Sequence, residues 1–196
     1  ITKDLPSYAG PLLAHEVSTL SSLKEPKAPF VIAIGGLKLE TKLPILKKFL
    51  PICDKLLVGG ALSHVFLVAK GSAVGKSVYE KEDVPMAKRL LRKWEDKIVL
   101  PTDVRVVSRL SSQAKIRTVS VESVGEKDII VDLGKNTMLA NKAAIKKAKT
   151  IVWNGPFGYC EIPKFCTGTY ALARMIGSRK GKAKTIVGGG DTIAVI

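Results

Sequence analysis

Four short, continuous apolar runs in this chain end in glycine, and three of them lead directly into a segment of helical period. Phe30–Ile34 is followed by Gly35-Gly36-Leu37-Lys38-Leu39-Glu40-Thr41-Lys42, and Lys55–Val58 by Gly59-Gly60-Ala61. Ile151–Trp153 is followed by Asn154-Gly155-Pro156-Phe157-Gly158, and Thr185–Val187 by Gly188-Gly189-Gly190-Asp191-Thr192. Runs of this kind, β-branched and unbroken instead of alternating with polar residues, suit parallel strands covered on both faces.

Ile98–Leu100, Val104–Val107, Thr118–Val121 and Ile129–Val131 read as further strands of the same type. Between the runs lie helical stripes: Leu62, Val65, Phe66 and Ala69; Val84, Ala87, Leu91 and Trp94; Ala140, Ala144 and Ala148; and Ala173 with Ile176. Strand–helix alternation predicts an α/β fold, a doubly wound, mainly parallel sheet with helices on both faces in a Rossmann-like three-layer sandwich. Residues 1–28 read differently. Gly10-Pro11 opens a helix over Leu12–Leu23, and a polar, proline-containing stretch, Lys24–Pro29, leads into the first strand. The division expected is a connecting helix and linker over 1–28 and one domain over 29–196.

Ligands of open parallel sheets sit at the carboxyl ends of the strands. Glycine there lets backbone N–H groups approach a ligand, and a following helix N-terminus favours negative charge. A single glycine pair after a strand is commonly just a tight turn, whereas four at one sheet edge point to a site. Lys38 and Lys42, four apart, would share one side of a helical turn, either as a solvated face or as phosphate ligands. Asp191 at a helix start is either an N-cap or a carboxylate that holds Mg²⁺ beside phosphates. Gly71-Ser72-Ala73-Val74-Gly75-Lys76-Ser77 is one residue too short for a P-loop and follows a helical segment, so that reading fails. His15 and His64 stand apart from any nucleophile, and Trp153 reads as core.

The 196 residues suffice for one sizeable core, and no apolar run reaches the ~20 residues of a membrane span. The start, Ile1-Thr2-Lys3-Asp4-Leu5-Pro6, carries no signal pattern and no Met, which suggests a start inside a longer protein. Cys53, Cys160 and Cys166 are odd in number and irregular in spacing, which argues against a disulfide framework or zinc site and for reduced, buried thiols in a cytoplasmic protein. A net charge of +15 is spread along the chain. Its densest run, Arg179, Lys180, Lys182 and Lys184, has no aromatics to stack on bases, so an anionic ligand fits better than a nucleic acid.

Taken in order, these loops resemble those of the phosphoglycerate kinase family. Pro29-Phe30-Val31-Ile32-Ala33-Ile34-Gly35-Gly36 with Lys38 and Lys42, and Asp54-Lys55-Leu56-Leu57-Val58-Gly59-Gly60, are similar to its first two strand–loop junctions. Leu100-Pro101-Thr102-Asp103-Val104, Trp153-Asn154-Gly155-Pro156 and Gly188-Gly189-Gly190-Asp191-Thr192 are similar to three more of its stretches, the last two being the most specific. The likeness covers nearly the whole chain, and Ala9-Gly10 to Leu23 looks like the helix joining the family's two lobes.

The resemblance implies the ATP/ADP-binding lobe of a glycolytic enzyme that moves a phosphoryl group, with Mg²⁺, between 1,3-bisphosphoglycerate and ADP. It implies that Lys38 steadies the transferring phosphoryl group and Lys42 the nucleotide phosphates. Asp191 would hold Mg²⁺, with Thr192, Gly189 and Gly190 near the phosphates. Glu161 would bind the ribose hydroxyls, Gly36, Gly60, Pro156 and Gly158 would shape the nucleoside pocket, and Asn154 would lie beside the phosphate path. Phosphoglycerate would bind through an N-terminal lobe absent here, and the chain stops at Ile196, before the family's last glycine loop. The fragment is therefore expected to bind Mg-nucleotide weakly without turning over, and the intact protein to be a cytoplasmic monomer, with no nucleic-acid or membrane partner. Leu37 stands where the family has a small residue, and Tyr159-Cys160 where it often has Val-Phe. These departures leave open an inactive relative that keeps the fold. A basic nucleic-acid-binding module is the remaining alternative.

Overall fold

The computed structural model describes residues 6–21 and 23–195, so sequence readings at residues 1–5, Ser22 and Ile196 lie outside the described residues. At its centre is β1 (Phe30–Ile34), whose five residues are all buried. β2 (Lys55–Val58) and β7 (Thr150–Asn154) pair with its two edges in parallel. β3 (Ile98–Val99) adds outside β2 and β8 (Lys184–Gly188) outside β7, giving the order β3-β2-β1-β7-β8.

Successive side chains of a strand point to opposite faces, and each face of β1 has its own core. Phe30, Ile32 and Ile34 pack with Leu46 and Phe49 of α2 (Leu43–Phe49), Leu62 and Phe66 of α3 (Gly60–Lys70), and Ala87 and Leu91 of α4 (Val84–Trp94). Val31 and Ala33 pack with Met138 and Ile145 of α5 (Lys135–Lys147) and with Leu172 and Ile176 of α6 (Thr167–Gly177). Each such large apolar side chain taken out of water contributes about 1.5–3 kcal/mol. The result is the three-layer α/β sandwich expected from the sequence. α3 stops at Gly71, whose φ of 93° is a left-handed cap, and the rejected P-loop segment is thus a helix end.

One expectation is corrected. β4 (Asp103–Val107), β5 (Arg117–Ser120) and β6 (Ile129–Leu133) do not extend the parallel sheet but form an antiparallel one, in the order β5-β4-β6. Their links are shorter than the dozen or so residues a parallel crossover needs. β4 reads as apolar on both sides because Val104 and Val106 face Leu67 and Val74, while Val107 meets Phe165.

The cysteines bring a second correction. Cys160 and Cys166 are joined by a disulfide, and only Cys53 is a free, buried thiol, its pKa pushed up by burial to about 11. A 3₁₀ turn at Pro163–Phe165 folds the chain back and brings the two Cα atoms to 4.6 Å, a proximity that the spacing does not announce. α1 (Pro11–Ser21) has no buried residue; Leu12, Leu13, Val17 and Leu20 are exposed along it.

Two buried polar residues fix joints between layers. Asp103, at the start of β4, caps α5: its carboxylate accepts the Thr137 amide (2.7 Å), the Asn136 amide (3.0 Å) and the Thr137 hydroxyl (2.7 Å). Asp103→Ala is expected to lose about 2 kcal/mol, read as a lower urea midpoint at unchanged slope. His64, on α3, is buried with Nδ1 donating to the Val78 carbonyl at 2.9 Å. Desolvation outweighs that bond and pulls the ring down from 6.5 to about 4. Between these values the unfolded chain takes up a proton that the native ring refuses. Stability is therefore lost as pH falls through that window, by up to about 3 kcal/mol. Urea titrations at a series of pH values should show a flatter slope over that range for His64→Gln than for the wild type.

Candidate functional site

The strand order reverses at β1. Leaving β1 the chain turns to α2 on one face, and leaving β7 it turns to α6 on the other, so the loops diverge and open a crevice between them. Backbone bonds lock its base: Gly35 N–H donates to Asn154 O (2.9 Å), Gly59 N–H to Ile34 O (2.9 Å), and Gly60 N–H to Phe157 O (3.0 Å). The approach is too close for side chains. A Cβ on Gly35 would meet the Pro156 carbonyl, and one on Gly59 would meet the Phe157 ring. Gly155 has φ of 92° and lies against the Gly35 backbone, so glycine is required there on both counts.

These loops frame a cleft of about 570 Å³ whose walls include Gly36, Gly60, Pro156, Gly158, Glu161 and Asp191. Six of the residues singled out from the sequence thus meet in one hollow, drawn from the ends of β1, β2, β7 and β8. A larger hollow of about 870 Å³ lies at the amino ends of the strands, among Lys27, Lys149, Lys182 and Lys184, away from the glycine loops.

The other expected residues flank the cleft. Lys42 closes a 3₁₀ turn over Glu40–Lys42 and donates from Nζ to Asn154 Oδ1 at 2.6 Å. Lys38 precedes that turn and is exposed, so the two lysines do not share a regular helical turn as expected. Asn154 pairs in register with Ile34 on one side and Gly188 on the other, and its amide lies against Gly189. α7 (Gly190–Ile193) begins after Gly189, with Asp191 and Gly190 exposed. Thr192 is fully buried, and its hydroxyl accepts the Gly155 amide at 2.7 Å. Its side chain therefore holds the β7 loop instead of facing outward. No cluster of three or more metal-ligating side chains occurs among the described residues. Asp191 offers a single carboxylate, the donor set of a Mg²⁺ whose other ligands are phosphates and water.

The cleft also takes in residues to which the sequence gave no role in a site: His64, Val78, Leu110, Ile130, Phe157 and Asp132. Asp132, near the end of β6, is buried and accepts the Leu133 amide (2.9 Å), the Gly168 amide (2.8 Å), the Thr167 hydroxyl (2.9 Å) and Arg105 Nη1 (3.0 Å). Burial pushes its carboxyl up, against the pull of those four partners. The signal was present, since Asp132-Leu133-Gly134-Lys135 is a fifth strand end followed by glycine, and it leads directly into a helix. Leu37 and Tyr159, the two bulky departures, both line the cleft.

Comparison with known proteins bears on the same elements. The family model for phosphoglycerate kinase matches residues 1–196. A phosphoglycerate kinase of Deinococcus radiodurans is 38% identical over 193 residues, which make up 98% of this chain and 47% of that protein. The solved phosphoglycerate kinase of Coxiella burnetii superposes with a TM-score of 0.89 at 40% identity, covering 95% of this chain and 48% of its own. That of Pyrococcus horikoshii gives 0.80 at 27% identity, covering 94% and 48%. The chain spans about half the length of these relatives. With its strand order, its glycine-lined cleft and a family match from end to end, it belongs to the phosphoglycerate kinase family.

Proposed function

We propose that this chain is the ATP/ADP-binding lobe for reversible phosphoryl transfer between 1,3-bisphosphoglycerate and ADP, giving 3-phosphoglycerate and ATP. The observation that carries the reading is the convergence of four strand ends on one cleft, with a lysine and an aspartate at its rim. Phosphoryl transfer needs positioning and charge neutralisation more than covalent chemistry, and this arrangement offers both. Gly36, Gly60, Pro156 and Gly158 shape the nucleoside pocket, and Glu161 takes the ribose hydroxyls. Lys42 serves the nucleotide phosphates from beside Asn154, and Lys38 reaches the transferring group from its exposed turn. Gly189, Gly190 and Asp191 face the phosphates, with Thr192 fixing the adjacent loop. Mg²⁺, held by Asp191, would supply charge neutralisation between the phosphates.

Residues 1–28 connect this lobe to a second one that binds phosphoglycerate, a reading supported by the bare apolar side chains of α1. The intact protein would be a cytoplasmic, monomeric glycolytic enzyme. A relative that keeps the fold but has lost activity is favoured by one observation, that bulky Leu37 and Tyr159 stand in the cleft wall.

Calorimetric titration of the chain with Mg-ADP should show saturable binding. Asp191→Ala and Lys42→Ala should each weaken it about 10- to 100-fold, the loss expected for one charge-assisted contact. Absence of binding by a folded chain would exclude the reading. With 3-phosphoglycerate and Mg-ATP, this chain should form no ADP above background, because it spans about half the length of its relatives and under this proposal the acceptor belongs to the other half. Measurable phosphoglycerate-dependent turnover would sink that expectation.

A further inference from the structure

The Cys160–Cys166 disulfide stands in the wall of the cleft, and the phosphoryl-transfer reading gives it no task. Cys160 lines the cleft between Tyr159 and Glu161, whereas Cys166 is fully buried at the start of α6. The bond closes a ring around Glu161–Phe165, and both flanks of that ring are anchored without it. Upstream, Tyr159 N–H donates to Val131 O at 2.8 Å. Downstream, Phe165 is fully buried, Lys164 Nζ donates to Ala114 O at 2.7 Å, and Phe165 N–H donates to Ile162 O at 2.8 Å. Between these anchors the local bonding is thin. Ile162 N–H reaches Tyr159 O only at 3.4 Å, and Cys160 Sγ lies 3.5 Å from the Thr169 hydroxyl. That hydroxyl is already engaged, accepting the Phe157 amide at 2.9 Å and the Gly158 amide at 3.0 Å, so it holds that part of the cleft wall to α6. The disulfide therefore ties the Cys160–Glu161 segment to α6.

We propose that Cys160 and Cys166 form a redox-active pair, in which reduction by a dithiol releases the Cys160–Glu161 segment and weakens nucleotide binding at the cleft. The inference rests on the nucleotide reading above. A thiolate of the dithiol attacks Cys160 Sγ, the sulfur on the cleft side. The S–S bond breaks, a mixed disulfide forms on Cys160, and Cys166 leaves as a thiolate that takes up a proton. The second thiol of the reductant then attacks the mixed disulfide, leaving Cys160 as a thiol and the reductant as its own disulfide. Two electrons and two protons pass from the dithiol to the pair. Cys53, buried elsewhere in the core, takes no part.

The test compares the oxidised and dithiothreitol-reduced chain in Mg-ADP calorimetry, with Cys166→Ser beside them. The oxidised chain should bind, and the reduced chain should bind about fivefold or more weakly, the loss expected when a released segment is competent roughly a fifth of the time. Cys166→Ser should sit at the reduced level and ignore dithiothreitol. Equal affinity of the oxidised and reduced chains overturns the redox proposal and leaves the nucleotide reading standing, whereas no binding by either form overturns both. Maleimide labelling under native conditions gives an answer independent of nucleotide. Cys160 should label only after dithiothreitol, and labelling before any reductant would equally overturn the proposal.

Discussion

Everything in this fold is referred to β1. Its five buried residues have β2 on one edge, β7 on the other and a helical layer on each face. A parallel strand in that position cannot be joined to its neighbours by tight turns, so each connection must travel back over a face of the sheet. All strands of the sheet consequently end at the same edge. Because the connections from β1 and β7 take opposite faces, that edge opens where they part. The cleft follows from the strand order, before any side chain is considered.

What fills the opening is mostly backbone. Gly35, Gly59 and Gly155 let three loops press together with no room for a Cβ, and Asn154 bridges β1, β8 and Lys42. The polar groups that matter structurally are those already satisfied. Thr192 holds Gly155, Thr169 holds Phe157 and Gly158, and Asp132 holds the start of α6. Unlike them, Asp191 and Glu161 are exposed at the cleft. Under the phosphoryl-transfer proposal, such an internally bonded frame around a few outward charges would position phosphates without rearranging.

The small antiparallel sheet supplies the remaining wall. It packs against the end of α3 through Leu67 and Val74, and around Phe165 through Val107 and Val131. Arg105 on β4 pairs with Asp132 on β6, and Asp132 in turn secures Thr167 and Gly168, so this sheet is joined to α6 and to the loop that carries the disulfide. The antiparallel sheet thus contributes Ile129–Leu133 to the cleft wall, while α1 leaves its apolar side chains bare.

The eight strands among the described residues were legible to within a residue or two, as were the glycine loops that end β1, β2, β7 and β8. A strand buried on both faces, as β1 is, must be apolar throughout, and a loop that admits backbone contact must lack side chains. β5, by contrast, is largely exposed and was legible only from its β-branched Thr118 and Val119. The helical stripes of α3, α4 and α6 were legible for the same kind of reason, each being set by one local period, whereas on α5 Ala140 is exposed and the buried face runs through Thr137, Met138, Asn141 and Ile145. Family membership followed from Trp153-Asn154-Gly155-Pro156 and Gly188-Gly189-Gly190-Asp191-Thr192, which are local as well. The pairing of β4, β5 and β6 was not legible. An apolar run reports that both its faces are covered, not what covers them, and Val104 and Val107 are covered by opposite clusters. Nor did local pattern reveal that Cys160 meets Cys166, that Thr192 faces inward, or that Asp132 carries four partners. Each depends on where a second segment lies, and only the packing of the layers decides that.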